Sequence, residues 1–211
     1  MVEIEYLGGN GLKIVESGKT IILDPKRSVV GLRDVVTKDF IEIVTEPALA
    51  SSAKDTFLTI DGPGEYEVAD FSVRGFAADR HTDFNGEMSA VNYTIETQDA
   101  TIGIIGNIND NLSESQLEDL GVIDILVIPI GGGGYTLDGK MAAKIIKDIE
   151  PKLVIPIHFN DDRLQYPVIQ DSFEELVSLL GCEVIESEKL KIKKEDDLPE
   201  TMKIVKLSLK V

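Results

Sequence analysis

LGGNGLKIVESGKTIILDP, residues Leu7 to Pro25, holds two apolar runs, LKIVES and TIILD, each of strand length. Ser17-Gly18 between them supplies a tight turn. Gly8-Gly9-Asn10-Gly11 is a second turn signal, and it joins the pair to an earlier strand, EIEYL. Asp24-Pro25 reads as a strand exit into a turn. FIEIV, TFLTI, EYEV, FSVRGF, VNYTIET and ATIGIIG continue the same manner of short strands.

The second half alternates. Ser113 precedes ESQLEDL as a helix cap, and the buried strand DILVIPI follows. In TLDGKMAAKIIKDIE the apolar residues Met141, Ala142, Ile145, Ile146 and Ile149 recur at helical spacing. KLVIPIHF reads as a further buried strand, SFEELVSLLG as a helix ending at Gly181, and EVIE and KIVKLSLKV as late strands. Strands followed by strand-helix alternation suggest two sheets with helices outside them.

With 211 residues the chain is long enough to bury a sizeable core. Its 43% hydrophobic and 28% charged residues are ordinary for a globular protein. Lys plus Arg total 21 against 38 Asp plus Glu, a formal charge of -17, which repels phosphate backbones and anionic membranes. The densest basic cluster, Lys189 to Lys194, is followed at once by Glu195, Asp196 and Asp197. Neither nucleic acid nor a membrane is expected as a partner. No apolar run reaches the length of a membrane span and MVEIEYLGG lacks the features of a secretory signal, so a cytoplasmic location is the expectation. The single Cys182 permits no intramolecular disulfide and reads as a small core residue. The N-x-[ST] matches at Asn92 and Asn111 carry little weight without secretion.

LGGNGLKIVESGKTIILDP resembles the opening of the metallo-β-lactamase superfamily. Within it, the chain is similar to small bacterial metal-dependent hydrolases related to ascorbate-phosphate lactonases. GPGEYEV from Gly62, DILVIPIGGGGYTLDGKMAAKII from Asp124 and PKLVIPIHF from Pro151 resemble later blocks of that branch in order. The resemblance implies an αββα four-layer sandwich, a single domain over residues 1–211, with a metal site at one edge between the sheets.

That family uses one or two zinc-like ions to lower the pKa of a bound water and polarise the scissile bond. Its ligands come from an H-x-H-x-D-H turn, a further His, a bridging Asp and a last His. By resemblance Glu46 and Ala48 stand at the first two histidine positions, Ala50 at the Asp and Ser51 at the final His of the turn. The early LGH of relatives is Leu7-Gly8-Gly9, and Asn107 aligns with the bridging Asp. His158 matches the last His, and His81 the remaining one. The frame is kept and most ligands are missing. No catalytic residue is assigned, and the vestigial edge is Glu46, His81, Asn107, Tyr135 and His158. No cofactor is expected beyond weak or adventitious zinc at His81 and His158.

The implied function is a non-catalytic binding or assembly module whose partner is an unknown small molecule or protein. Two alternatives stay open: a hydrolase of lactones, esters or phosphoesters with an unconventional metal site around His81 and His158, and a structural homo-oligomer subunit. The run Gly131 to Gly134 lacks the Gly-Lys-[ST] of a phosphate cradle and reads as a strand-to-helix turn, beside which Tyr135 would line a pocket. Glu65 and Glu67 share a strand face but read as a solvated hairpin.

Overall fold

Alternation in the first strands separates a charged face from an apolar one. In β1 (Val2–Gly8), Val2, Ile4 and Tyr6 are buried in the core between the sheets. Glu3 and Glu5 face outward, where they pair with Lys189, Lys191, Lys13 and Lys210. A slip of one residue would exchange the two sets, so the register is strongly specified. β2 (Gly11–Glu16) and β3 (Lys19–Leu23) continue the antiparallel ladder, and β4 (Ile41–Ile43) and β5 (Leu58–Ile60) add to it in parallel.

The computed structural model describes residues 1–211 apart from positions 36, 53–55, 85, 110, 111 and 211. Asn111, one of the two N-x-[ST] matches, therefore lies outside the described residues, while Asn92 is fully buried and no acceptor for a glycan. The remaining strands are β6 (Gly64–Val68), β7 (Phe71–Ala78), β8 (Ala90–Glu96), β9 (Thr101–Ile104), β10 (Ile125–Pro129), β11 (Leu153–Ile157), β12 (Glu183–Ser187), β13 (Leu190–Ile192) and β14 (Lys203–Leu207). They form a six-stranded sheet in the order β13-β1-β2-β3-β4-β5 and an eight-stranded sheet in the order β12-β14-β11-β10-β9-β8-β7-β6. Both sheets are mixed, as the αββα expectation requires.

β10 and β11 are buried at every position, because one face meets the opposite sheet and the other meets helices. α1 (Glu114–Leu120), α2 (Gly139–Ile149) and α3 (Phe173–Leu180) lie on that outer face, where Leu120, Ile145, Ile146 and Leu176 share a core with Leu126 and Val154. Ser113 caps α1 with a capping box to Gln116. On the outer face of the first sheet, Leu7, Ile22 and Phe40 form a smaller cluster against Val35. β13 falls inside the basic cluster of the sequence, and its Lys191 neutralises Glu3 across the ladder.

The glycine run after β10 serves the backbone. Gly132, Gly133 and Gly134 have φ of 65, 66 and 70°, a left-handed course that side chains resist. Gly131 is required by space, since a Cβ there would overlap the carbonyl oxygen of His158 and Oε1 of Gln170. Gly131→Ala is therefore expected to cost about 2 kcal/mol or more through overpacking. Urea unfolding checks this, and an unchanged midpoint would contradict the close approach.

Candidate functional site

Chain ends gather at one edge of the sandwich. The β1–β2 turn, the exits of β3 and β4, and the segments after β9, β10 and β11 bring Asn10, Asp24, Glu46, Asn107, Tyr135 and His158 to it. In sheets with parallel strands the carboxyl ends are where ligands settle.

Asn10 is the bridge. Its Nδ2 donates to Oδ1 of Asn107 at 3.0 Å, and its Oδ1 faces Nδ1 of His158 at 2.6 Å, all three residues being buried. With the amide so oriented, His158 carries its proton on Nδ1 and Nε2 is left as an acceptor. The backbone of His158 is left-handed, φ 51°, and its N–H donates to Gly9 O at 3.1 Å. Tyr135 and Tyr166 flank the ring, with centroids 5.6 and 4.7 Å away. Burial pushes the imidazole down to about 3.

Glu46 ends β4's exit and precedes the short 3-10 turn Pro47–Leu49. Its side chain is sealed from solvent, and Oε2 lies 2.6 Å from a terminal guanidinium nitrogen of Arg80. Tyr135 donates its hydroxyl to Oε1 at 2.9 Å. Burial first, then the Glu46 charge, pushes that phenol up to about 12. The Arg80 loop is itself fixed, its backbone N–H donating to Asp83 at 2.8 Å.

Of the residues marked in the sequence, Glu46, Asn107, Tyr135 and His158 enter this network. His81 enters none of these contacts; it is half-exposed with Nε2 unpartnered. Ala48 is exposed, and it is Leu49 that turns inward to line a cavity beside His158. Ser51 donates its N–H to Glu42 at 2.7 Å, which ties the turn to β4. Glu65 and Glu67 are exposed on β6.

Asn10, Arg80 and Asp24 were not marked as site residues. Asn10 sits in a glycine turn and looks like turn chemistry alone. Asp24 does more than end a strand. It is 2% exposed, accepts the Thr45 N–H at 2.8 Å and shares a 2.6 Å hydrogen bond with the Thr45 hydroxyl. Burial pushes its carboxyl up to about 8.

A family profile described as the beta-lactamase superfamily domain matches residues 3–158. The chain belongs to the metallo-β-lactamase superfamily. A UPF0173 metal-dependent hydrolase of Staphylothermus marinus is 31% identical over 197 residues, which covers 76% of this chain and 84% of that protein. Relatives of the same description in Carboxydothermus hydrogenoformans and Thermococcus onnurineus are 42% and 32% identical, and the matches cover 25% and 48% of this chain. The chain spans less than half the length of these two, 21% and 45%. Among solved structures, a Thermotoga maritima protein of the metallo-beta-lactamase superfamily superposes with a TM-score of 0.80 at 21% identity, covering both chains fully. The metallo hydrolase Igni18 of Ignicoccus hospitalis gives 0.63 at 16% identity, over 85% of this chain and 90% of that one. These likenesses show the fold.

The donor set at the edge does not fit the metal centre of the family. Among the described residues no group of three or more His, Cys, Asp or Glu is placed to hold an ion. Glu46 already has a cation in Arg80, and Asn107 offers a neutral amide whose Oδ1 accepts from Asn10.

Two outcomes follow from these contacts. Removing Arg80 strands a buried carboxylate, so Arg80→Met is expected to cost about 3 kcal/mol, and the Glu46→Gln, Arg80→Met pair distinctly less. Additive losses in denaturant unfolding would show that the two side chains are not coupled. For His158, the unfolded pKa of about 6.5 lies above the folded one. Between pH 6.5 and 3 the unfolded chain takes up a proton that the native ring refuses, so His158 lowers stability as pH falls through that window. His158→Asn, which tolerates the left-handed backbone, is expected to flatten the decline. Parallel declines in urea titrations of the two proteins would refute this.

Proposed function

We propose that the chain is a non-catalytic binding or assembly module on the metallo-β-lactamase frame, lacking the two-metal hydrolytic centre and acting on an unknown small molecule or protein. One observation carries this reading. Residues at the family's ligand positions are held by neighbours outside that set, Glu46 by Arg80 and Tyr135, Asn107 and His158 by Asn10, and among the described residues they do not converge on a shared cation site. A hydrolytic centre needs several donors converging on one ion that activates water, and here Glu46 meets a guanidinium and Asn107 an amide, which leaves Nε2 of His158 alone.

The relatives are described as metal-dependent hydrolases, which keeps the alternative of a hydrolase with an unusual site near His81 and His158 in view. Elemental analysis separates the two readings. Protein purified with neither chelator nor metal-affinity tag is expected to carry well under one zinc, manganese or iron per chain after dialysis. It is also expected to leave lactone, β-lactam and phosphodiester substrates at the buffer rate when zinc or manganese is added. A tightly held stoichiometric metal, with a metal-dependent rate lost in His158→Ala, would establish the hydrolase instead.

A further inference from the structure

A cavity of about 110 Å³ opens beside the network, lined among others by Asn10, Leu49, Tyr135, His158, Tyr166 and Gln170. Among the described residues its wall carries no Lys, Arg, Asp or Glu. Carboxylates and ammonium groups would find no opposite charge there, and burying one unpaired is costly. The wall is mostly aromatic and aliphatic, with His158 between the two tyrosine rings. Flat ligands suit such walls.

The polar atoms left over have one sign. His158 spends Nδ1–H on Asn10, so the ring's other nitrogen is an acceptor with no partner among the described residues. Gln170 is 6% exposed, donates its amide N–H to Val168 O at 3.1 Å, and leaves Oε1 unpartnered. The Tyr166 hydroxyl lies near that of Tyr6 and can give or take a hydrogen. Gln170 Oε1 is a buried unpartnered acceptor and His158 Nε2 a second acceptor, so an occupant that donates suits this wall. An apolar cavity of roughly 150 Å³ holds benzene, so 110 Å³ suits a ring one atom smaller.

We propose that this cavity binds a small, planar, uncharged heterocycle of five-membered-ring size, with its N–H donated to Nε2 of His158. This rests on the metal-free reading of the site given above and adds the ligand class to it. Binding at a preformed cavity by one donated hydrogen and ring contacts is weak for so small a probe, and substituents leaving the mouth past Val29, which lines it and is 43% exposed, would add to it.

The probe is pyrazole, which is neutral at pH 7, titrated with chelator present into protein labelled with ¹⁵N at its two histidines. A saturable shift of the His158 Nε2 resonance is expected, with His81 unmoved. 1-Methylpyrazole, which keeps the ring and loses the donor, is expected to bind about ten-fold weaker or worse, because the hydrogen bond to Nε2 is then lost. Val29→Trp at the mouth is expected to block binding while the melting temperature stays near that of the parent. Three results would each overturn the proposal: a His158 shift that saturates no earlier than any at His81, equal binding of the methylated probe, or unchanged binding in a folded Val29→Trp protein. Because chelator is present throughout, metal found by elemental analysis would count against the non-catalytic reading and leave this titration to be judged separately.

Discussion

The buried amide of Asn10 holds the edge of the sandwich together. It comes from the first hairpin of the six-stranded sheet, while Asn107 and His158 lie in the segments that follow β9 and β11 of the eight-stranded sheet. One side chain thus donates to one and accepts from the other, closing the gap between the sheets at 3.0 and 2.6 Å. The amide group suits this because it offers both polarities in a fixed plane. An aspartate at position 10 could accept from His158, but against Asn107 it would depend on that amide turning its N–H inward. Everything on the edge follows from the orientation so fixed: the tautomer of His158, the placement of its ring between two tyrosines, and the left-handed turn that brings it there.

The fold was largely legible in the sequence, and for a physical reason. Strand alternation in Glu3 to Leu7 and the unbroken apolar runs Ile125 to Ile130 and Leu153 to Ile157 state directly whether one face or both are buried. The resemblance of blocks such as LGGNGLKIVESGKTIILDP gave the arrangement of layers that periodicity alone cannot. β13 is not legible in the sequence because its three residues, Leu190 to Ile192, lie among lysines, of which Lys189 and Lys191 pair with Glu3, remote in sequence.

The site was legible only where it repeated the family's spacing. Glu46, Asn107, Tyr135 and His158 fall at marked positions and meet in space. Asn10 and Arg80 did not stand out, since a turn asparagine and a loop arginine are common and their roles depend on contacts across 97 and 34 positions. The signal for Arg80 was indirect: a glutamate placed where a buried imidazole belongs needs a positive partner, and Arg80 was available beside His81. Asp24 was read as punctuation because nothing in TIILDP reveals that its carboxyl is sealed and bonded to Thr45.

Together these side chains discharge the edge. In a hydrolase of this fold a divalent cation balances carboxylates and fixes imidazoles. Without one, each negative charge must be removed or paired, because an isolated charge in a closed site is costly. Here every position answers in its own way. Asn107 carries no charge at all. Glu46 is paired with Arg80 at 2.6 Å. Burial pushes the Asp24 carboxyl up to about 8, toward its neutral form, and His158, pushed down to about 3, is neutral at pH 7. The edge thus meets its charges with protein groups, while Nδ2 of Asn107 and Nε of Arg80 stay buried with no hydrogen-bond partner among the described residues. Placing a carboxylate at this edge, as in Asn107→Asp, would add a buried negative charge beside Asn10 with no guanidinium to meet it, a change that costs stability unless a cation comes with it.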